Sequence, residues 1–267
     1  MMKQTTANKP KSKRPVKTFF HNSEAPKVSV IIPVMNEIKT LGHVIRAASR
    51  VHSKTEVIVV ANGSTDSSEE LAELSGARVI SFKQPLGHDV GRAIGAMEAK
   101  GDILVFTDGD IKVSTSMLTP LVAAIKNGAD IALNNHSGPI YKKEVHSVVL
   151  AKYALNVMLS RSDLKGASMT TIPHAMARKA LAMIGAGALA VPPLAMAIAV
   201  QKGLKIRRVN RVPVGKMNRK RNRIKNGFDP LAELIIGDHL EAMERVIQAT
   251  DARGGIPDLP NKRHLVR

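Results

Sequence analysis

Residues 103–112 read Ile-Leu-Val-Phe-Thr-Asp-Gly-Asp-Ile-Lys. An apolar run ends abruptly in two aspartates with one glycine between them. A run of this kind is what a strand buried on both faces looks like. Packing does not explain two carboxylates at its end, because ionised groups resist desolvation unless they are paired or bound to metal. Hard oxygen donors at an element end suit Mg²⁺ or Mn²⁺, ions that commonly hold substrate phosphates as well. Asp108 and Asp110 are therefore the first candidates for chemistry. The structural alternative is a polar turn, since Asp-Gly is common turn chemistry. A calcium loop is disfavoured: no glycine follows at its sixth position and no glutamate at its twelfth.

The sequence upstream supplies the context. Val28–Val34, Glu56–Val60 and Arg78–Phe82 read as three further strands. Between them, residues 39–51 carry helical spacing with Leu41, Val44, Ile45 and Ala48 on one face, Ser67–Ser75 has a short helix with an acidic first turn, and Gly87–Lys100 has a helix with small residues on one side. Strands alternating with helices imply βαβ units and a mostly parallel sheet flanked by helices. Ligands in such sheets bind beyond the carboxyl ends of the strands. Three of those ends carry polar signals: Asn36-Glu37, Asn62-Gly63-Ser64-Thr65-Asp66 and Asp108-Gly109-Asp110. Their convergence on one rim is the main reason to expect a nucleotide-type site.

The 267 residues, 44% hydrophobic, suffice for one large core. Cysteine is absent, which excludes disulfides, thiolate catalysis and cysteine zinc sites. A net charge of +18 favours anionic partners. With aromatics at 3% and no Trp, the stacking platforms of single-strand nucleic-acid binders are missing, so no nucleic-acid partner is expected. The start of the chain is basic and polar without an apolar stretch behind it, which points to the cytoplasm. Residues 180–200 carry no charge and match the roughly 20 residues that span a bilayer. Pro192-Pro193 interrupts them, so a buried loop entering a core helix is the expectation.

The second half is less regular. Helices are expected near 114–127, 144–159, 178–184, 194–202 and 230–249, and strands near 129–133, 169–175 and 205–214. Residues 216–225 hold six basic residues and no acid. This run reads as a mobile loop closing on a diphosphate, as a dock for an anionic membrane, or as a solvated loop.

Three motifs in order, Val-Ser-Val-Ile-Ile-Pro-Val-Met-Asn-Glu (28–37), Glu-Val-Ile-Val-Val-Ala-Asn-Gly-Ser-Thr-Asp (56–66) and Gly-Asp-Ile-Leu-Val-Phe-Thr-Asp-Gly-Asp (101–110), resemble the nucleotide-binding half of family 2 glycosyltransferases of the GT-A fold. Residues 85–95, Pro-Leu-Gly-His-Asp-Val-Gly-Arg-Ala-Ile-Gly, are similar to the glycine-rich segment of the polyprenyl-phosphate sugar synthases. The resemblance covers roughly residues 27–210 and is firm to 112. It implies a GT-A domain over 25–215 with a nucleotide-binding half (25–112) and an acceptor half (113–215); by composition and spacing alone, residues 1–24 read as a basic, disordered tail and 216–267 as a basic loop with a terminal helix.

The resemblance also implies roles. Asp110 binds Mn²⁺ or Mg²⁺ bridging the donor diphosphate, and Asp108 contacts the ribose or the metal shell, with Gly109 between them. Pro33, Asn36 and Glu37, with Asn62 and Asp66, hold the nucleoside of a UDP- or GDP-sugar. Arg92 reaches the diphosphate, and His88 contacts the donor sugar or caps the helix. His174 is a candidate third metal ligand, against the alternative of a hydrogen-bonded core histidine. Peripheral contact with an anionic membrane remains open.

Two departures stand out. Many relatives carry two acids where this chain has Ala61-Asn62. Members that glycosylate a hydroxyl commonly carry an acidic pair where this chain has Val191-Pro192-Pro193-Leu194. An alcohol nucleophile needs a positioned base, whereas a phosphate is already ionised. Hence the acceptor is a phosphate, or another acid such as Asp163, Asp229 or Asp238 serves as base, or attack takes another route, or the chain is inactive. The expected function is metal-dependent transfer of a sugar from a nucleotide-sugar to an acceptor, phosphate-bearing on this reasoning. The competing functions are a nucleotide-sugar-binding protein without activity and a sugar-nucleotidyltransferase. The latter normally carries a glycine-rich basic loop after the first strand, which Pro33–Glu37 lacks.

Overall fold

The computed structural model describes residues 19–217 and 229–266. The expected basic tail up to residue 18, and the basic run from residue 218 onward, lie outside the described residues.

In chain order the elements are β1 (Val28–Val34), α1 (Ile38–Ala48), β2 (Thr55–Asn62), α2 (Ser68–Ser75), β3 (Arg78–Phe82), α3 (Val90–Glu98), β4 (Ile103–Phe106), α4 (Thr115–Lys126), β5 (Ile131–Leu133), α5 (Ser147–Met158), β6 (His174–Ala177), α6 (Arg178–Ile184), α7 (Pro192–Gln201), β7 (Ile206–Arg208), α8 (Val214–Met217) and α9 (Pro230–Ala249). The strands form one sheet in the order β3-β2-β1-β4-β6-β5-β7. Pairing is parallel except where β6 runs antiparallel to β4 and β5. The α/β layers expected from the alternating pattern are thus present.

The central strands β1, β2 and β4 are buried along nearly their whole length, which explains their continuous apolar runs. One carboxylate inside this wall is accounted for. Glu56, 4% exposed, accepts from the Ser29 hydroxyl at 2.6 Å and from the Lys100 amide at 2.6 Å.

α3 lies unusually close to the sheet because of its glycines. A Cβ on Gly91 would come within 3.1 Å of Pro33, and a Cβ on Gly95 would collide with Ile31. The spacing of four residues puts both glycines on the face that meets β1 and β2.

Two expectations shift in the second half. The strand expected over 169–175 begins only at His174. Pro173 has no amide to donate to a ladder, and residues 168–171 are held in a turn by Thr171 N–H to Ser168 C=O at 3.0 Å. The strand expected over 205–214 stops at Arg208, because its partner β5 stops at Leu133. The uncharged stretch 180–200 forms the end of α6, a 3₁₀ turn and α7, with Pro192 and Pro193 in the first turn of α7 where a fixed φ is favourable. Among the described residues no helix is long and apolar enough to cross a membrane. α9 packs across α5 and α7 and contributes Ala242 and Val246 to the core.

Candidate active site

The carboxyl ends of β1, β2 and β4 meet at a cleft of about 300 Å³. Pro33, Glu37, Asn62, His88, Arg92 and the segment Asp108-Gly109-Asp110 line it, so most residues singled out in the sequence come together. Gly109 lets the β4 end pass under β1, since a Cβ there would lie 2.9 Å from the Val34 side chain.

Arg92 organises the floor. The close packing of α3 brings its guanidinium, 4% exposed, behind the aspartates. One terminal nitrogen donates to both carboxylate oxygens of Asp108, at 3.0 and 3.2 Å, and the other meets Asp89 at 2.5 Å. Burial works against the charge on Arg92, but Asp108 and Asp89 outweigh it and hold its pKa above the ordinary value. Burial raises the Asp89 carboxyl above its usual range against the pull of Arg92. A buried cation needs such partners, because an unpaired one is severely penalised. Asp108 is thereby fixed in orientation by protein, and Asp110 lines the cleft beside it. Asp89 was not singled out from the sequence, although its i,i+3 spacing to Arg92 on a helix start was a legible signal.

The expected nucleoside-binding residues divide into two groups. Pro33, Glu37, Asn62 and His88 line the main cleft, whereas Asn36 and Asp66 line an adjoining groove of about 300 Å³ that shares Glu37 and Asp110 with it. The Asn36 side-chain oxygen accepts from the Thr65 amide at 2.7 Å and from the Asp66 amide at 3.2 Å, locking the turn after β2 to the end of β1. Asp66 accepts from the Ser68 amide at 2.9 Å and from the Ile38 amide at 3.3 Å. It thus ties the starts of α1 and α2 together. Partial burial acts to raise the Asp66 pKa, yet these hydrogen bonds hold it below the ordinary value. Asn62 is committed to structure too. Its amide donates to Gly87 C=O at 2.9 Å and accepts from the Leu86 N–H at 2.5 Å, which hangs the 85–87 loop over the cleft. This accounts for one sequence departure: the position needs a donor and an acceptor at once, which a carboxylate cannot supply.

His174 takes a core position. It is 2% exposed and stacks on Phe106 with ring centroids 4.9 Å apart. Burial, with Arg92 nearby, lowers its pKa to about 3, so the ring is neutral. Among the described residues no group of three His, Asp or Glu side chains stands close enough to hold a metal. The expected ligand set of Asp108, Asp110 and His174 is therefore not assembled here: His174, paired beside Phe106 at the end of β4, is buried against that ring and does not line the cleft.

Of the acids considered as bases, Asp163 is engaged by Arg161 through two 2.8 Å bonds, and Asp229 caps α9 by accepting from the Leu231 amide at 3.1 Å. Asp238, half-buried on α9, is different. Burial raises its pKa first, and Asp89 and Glu241 raise it further, while His88 works the other way. α9 thus carries Asp238 within electrostatic reach of the α3 start and His88 at the cleft. His239 turns away from the cleft, with Nδ1 2.7 Å from Ile235 C=O.

Residues 29–180 match the family described as Glycosyl transferase family 2. The chain belongs to that family. Among curated relatives, glucosyl-3-phosphoglycerate synthase of Mycobacterium tuberculosis is 34% identical over 138 residues, 46% of this chain and 42% of that one. Dolichol-phosphate mannosyltransferase of Pyrococcus furiosus is 30% identical over 148 residues, 48% of this chain and 41% of that one. The chain thus spans less than half the length of these relatives. A crystal structure of the M. tuberculosis synthase with UDP superposes with a TM-score of 0.62 at 25% identity, covering 88% of this chain and 82% of that one. Other crystals of the same synthase hold phosphoglyceric acid, or Mn²⁺ with UDP-glucose and phosphoglyceric acid. Family 2 membership and GT-A neighbours agree with the fold and family expected from the three motifs.

Proposed function

We propose that this family 2 member transfers a glycosyl group from a nucleoside-diphosphate sugar to a phosphate-bearing acceptor with the help of a divalent cation. The observation that carries this reading is the Arg92-braced Asp108 beside Asp110 on the floor of the cleft.

Two hard carboxylates on the floor of the cleft fit Mg²⁺ or Mn²⁺. Asp110 would be the principal ligand, since both oxygens of Asp108 already accept from Arg92. When bound, the cation supplies charge stabilisation for the leaving diphosphate. The mycobacterial synthase, crystallised with Mn²⁺ and UDP-glucose, supports a divalent cation beside the donor.

The chain's own residues do the rest. Pro33 and Glu37 border the nucleoside end, and the loop hung on Asn62 closes over it. Arg92 is too fully engaged by Asp89 and Asp108 to swing onto the diphosphate, so its part is to hold Asp108 in place before the donor arrives. Fixed charges of this kind help most where charge develops in the transition state. A phosphate oxygen attacks without a base. For a hydroxyl on a phosphate-bearing acceptor, Asp238 is the acid of the three considered that stands near the cleft, and its raised pKa suits proton acceptance.

The deciding experiment incubates the protein with UDP-glucose or GDP-mannose and Mn²⁺, with and without phosphorylated acceptors, and follows release of the nucleoside diphosphate. Acceptor-dependent release supports the proposal. Tight nucleotide binding with no release under any acceptor would favour a non-catalytic binding protein.

A further inference from the structure

A second cleft, of about 500 Å³, opens between the end of β5 and the start of α5. His136, Lys142, Glu144, His146, Val149 and Lys152 are among its lining residues. None of them was singled out from the sequence, and the donor reading uses none of them.

The inner end of the cleft holds a lysine with no carboxylate partner among the described residues. Lys152 is largely buried at its inner end and makes one hydrogen bond, 2.6 Å to the neutral Thr171 hydroxyl. Burial, reinforced by Arg92, lowers its pKa to about 8. Half-buried His136 is lowered as well, by burial first and then by Lys152 and Arg211. Its Nδ1 is buried without a hydrogen-bond partner. Lys152 also depresses the buried His239 from the α9 side. No carboxylate appears among the influences on Lys152 or His136, and Glu144 lies out on the exposed rim. A cation buried with only a neutral hydroxyl for partner is costly, and an anion supplied from outside relieves that cost. The N-terminus of the 12-residue α5 opens on the same space and adds its dipole.

Its place matters as much as its charge. Arg92, on the floor of the donor cleft, is close enough to Lys152 to shift it. The two clefts are thus neighbours across one basic wall.

We propose that this second cleft binds the phosphate monoester of the acceptor, with Lys152 and His136 as its principal contacts. The chemistry is shared by a small soluble phosphate ester and by the headgroup of a lipid phosphate. Calling this ligand the acceptor rests on the transferase reading; the binding itself does not.

The test is calorimetric, on the full chain. Inorganic phosphate and glycerol 3-phosphate are titrated into protein first saturated with UDP and Mg²⁺, and separately into protein alone. A third arm presents vesicles with and without a polyprenyl phosphate. Lys152→Met and His136→Gln are compared with wild type, and melting temperature reports their folding. The proposal expects phosphate or phosphate-ester binding that persists with UDP bound and weakens at least about tenfold in both variants, with UDP affinity unchanged within about twofold. Such binding in the glycerol 3-phosphate arm marks a soluble acceptor, and in the vesicle arm a lipid one. Absence of phosphate binding in every arm, or binding that UDP displaces, or binding indifferent to both substitutions in folded protein, overturns it. Failure of UDP itself to bind would count against the donor reading and leave the phosphate result to be judged in protein alone.

Discussion

The Arg92 guanidinium donates to both oxygens of Asp108 from 3.0 and 3.2 Å while meeting Asp89 at 2.5 Å on its other side. One buried cation therefore settles two carboxylates at the floor of the cleft, and removing it leaves both without compensation. Arg92→Met is expected to destabilise the protein by about 3–5 kcal/mol, the usual cost of orphaning buried charges. Denaturant melts check this. Adding Asp89→Asn to that variant should restore part of the loss, a coupling that a purely steric role for Arg92 does not produce.

The approach of α3 to the sheet sets where that guanidinium lies. Gly95→Ala gains up to about 1 kcal/mol of helix propensity. It also forces a methyl into Ile31, whose branched side chain is fixed in β1. Overpacking typically costs about 1–3 kcal/mol, so a net loss is expected. Nucleotide affinity should fall along with stability, because α3 carries Arg92.

Asn62 supplies a donor to Gly87 and an acceptor to Leu86 from a site 7% exposed. Asn62→Asp removes the donor and introduces a charge facing a carbonyl. A cost of about 1–3 kcal/mol is expected from the unsatisfied group. Amide exchange in residues 85–87 should accelerate. Unchanged stability at neutral pH would show that the loop does not depend on this bond.

His174 is neutral in the fold, with its pKa lowered to about 3 from an ordinary 6.5. Between those values the unfolded chain binds a proton that the folded chain refuses. Stability therefore falls as pH drops from 6.5 toward 3, by up to about 1.4 kcal/mol per unit from this residue. His174→Phe keeps a ring on Phe106 and should flatten the acid limb of the stability curve. An equally steep limb in that variant would place the acid sensitivity elsewhere.

The donor half was legible because its signals are local. Each of β1, β2 and β4 announces itself as an apolar run, and each ends in the polar cluster that lines the cleft or the groove beside it. The second half was not, for a physical reason. β5, β6 and β7 are three or four residues long, and their limits are set by partners distant in sequence. Side-chain roles were harder still. Asn62, expected at the nucleoside, lines the cleft but also holds Leu86 and Gly87, a second role with no local signal, and His174, expected as a metal ligand, is buried against Phe106. Lys152 carries no local sign of its burial, since the groups it meets, Thr171, Arg92 and His239, are distant in sequence.

The most direct test of the donor site is calorimetric titration of UDP in the presence and absence of Mn²⁺, on wild type and on Asp110→Asn. Asp110 lines both the cleft and the adjoining groove, so losing its carboxylate charge there should remove the metal's contribution. The expected result is Mn²⁺-enhanced UDP binding in wild type and at least a tenfold weaker, Mn²⁺-insensitive affinity in the variant, about 1.4 kcal/mol or more. Equal Mn²⁺ enhancement in both proteins would contradict the assignment of Asp110 as the residue that holds the cation.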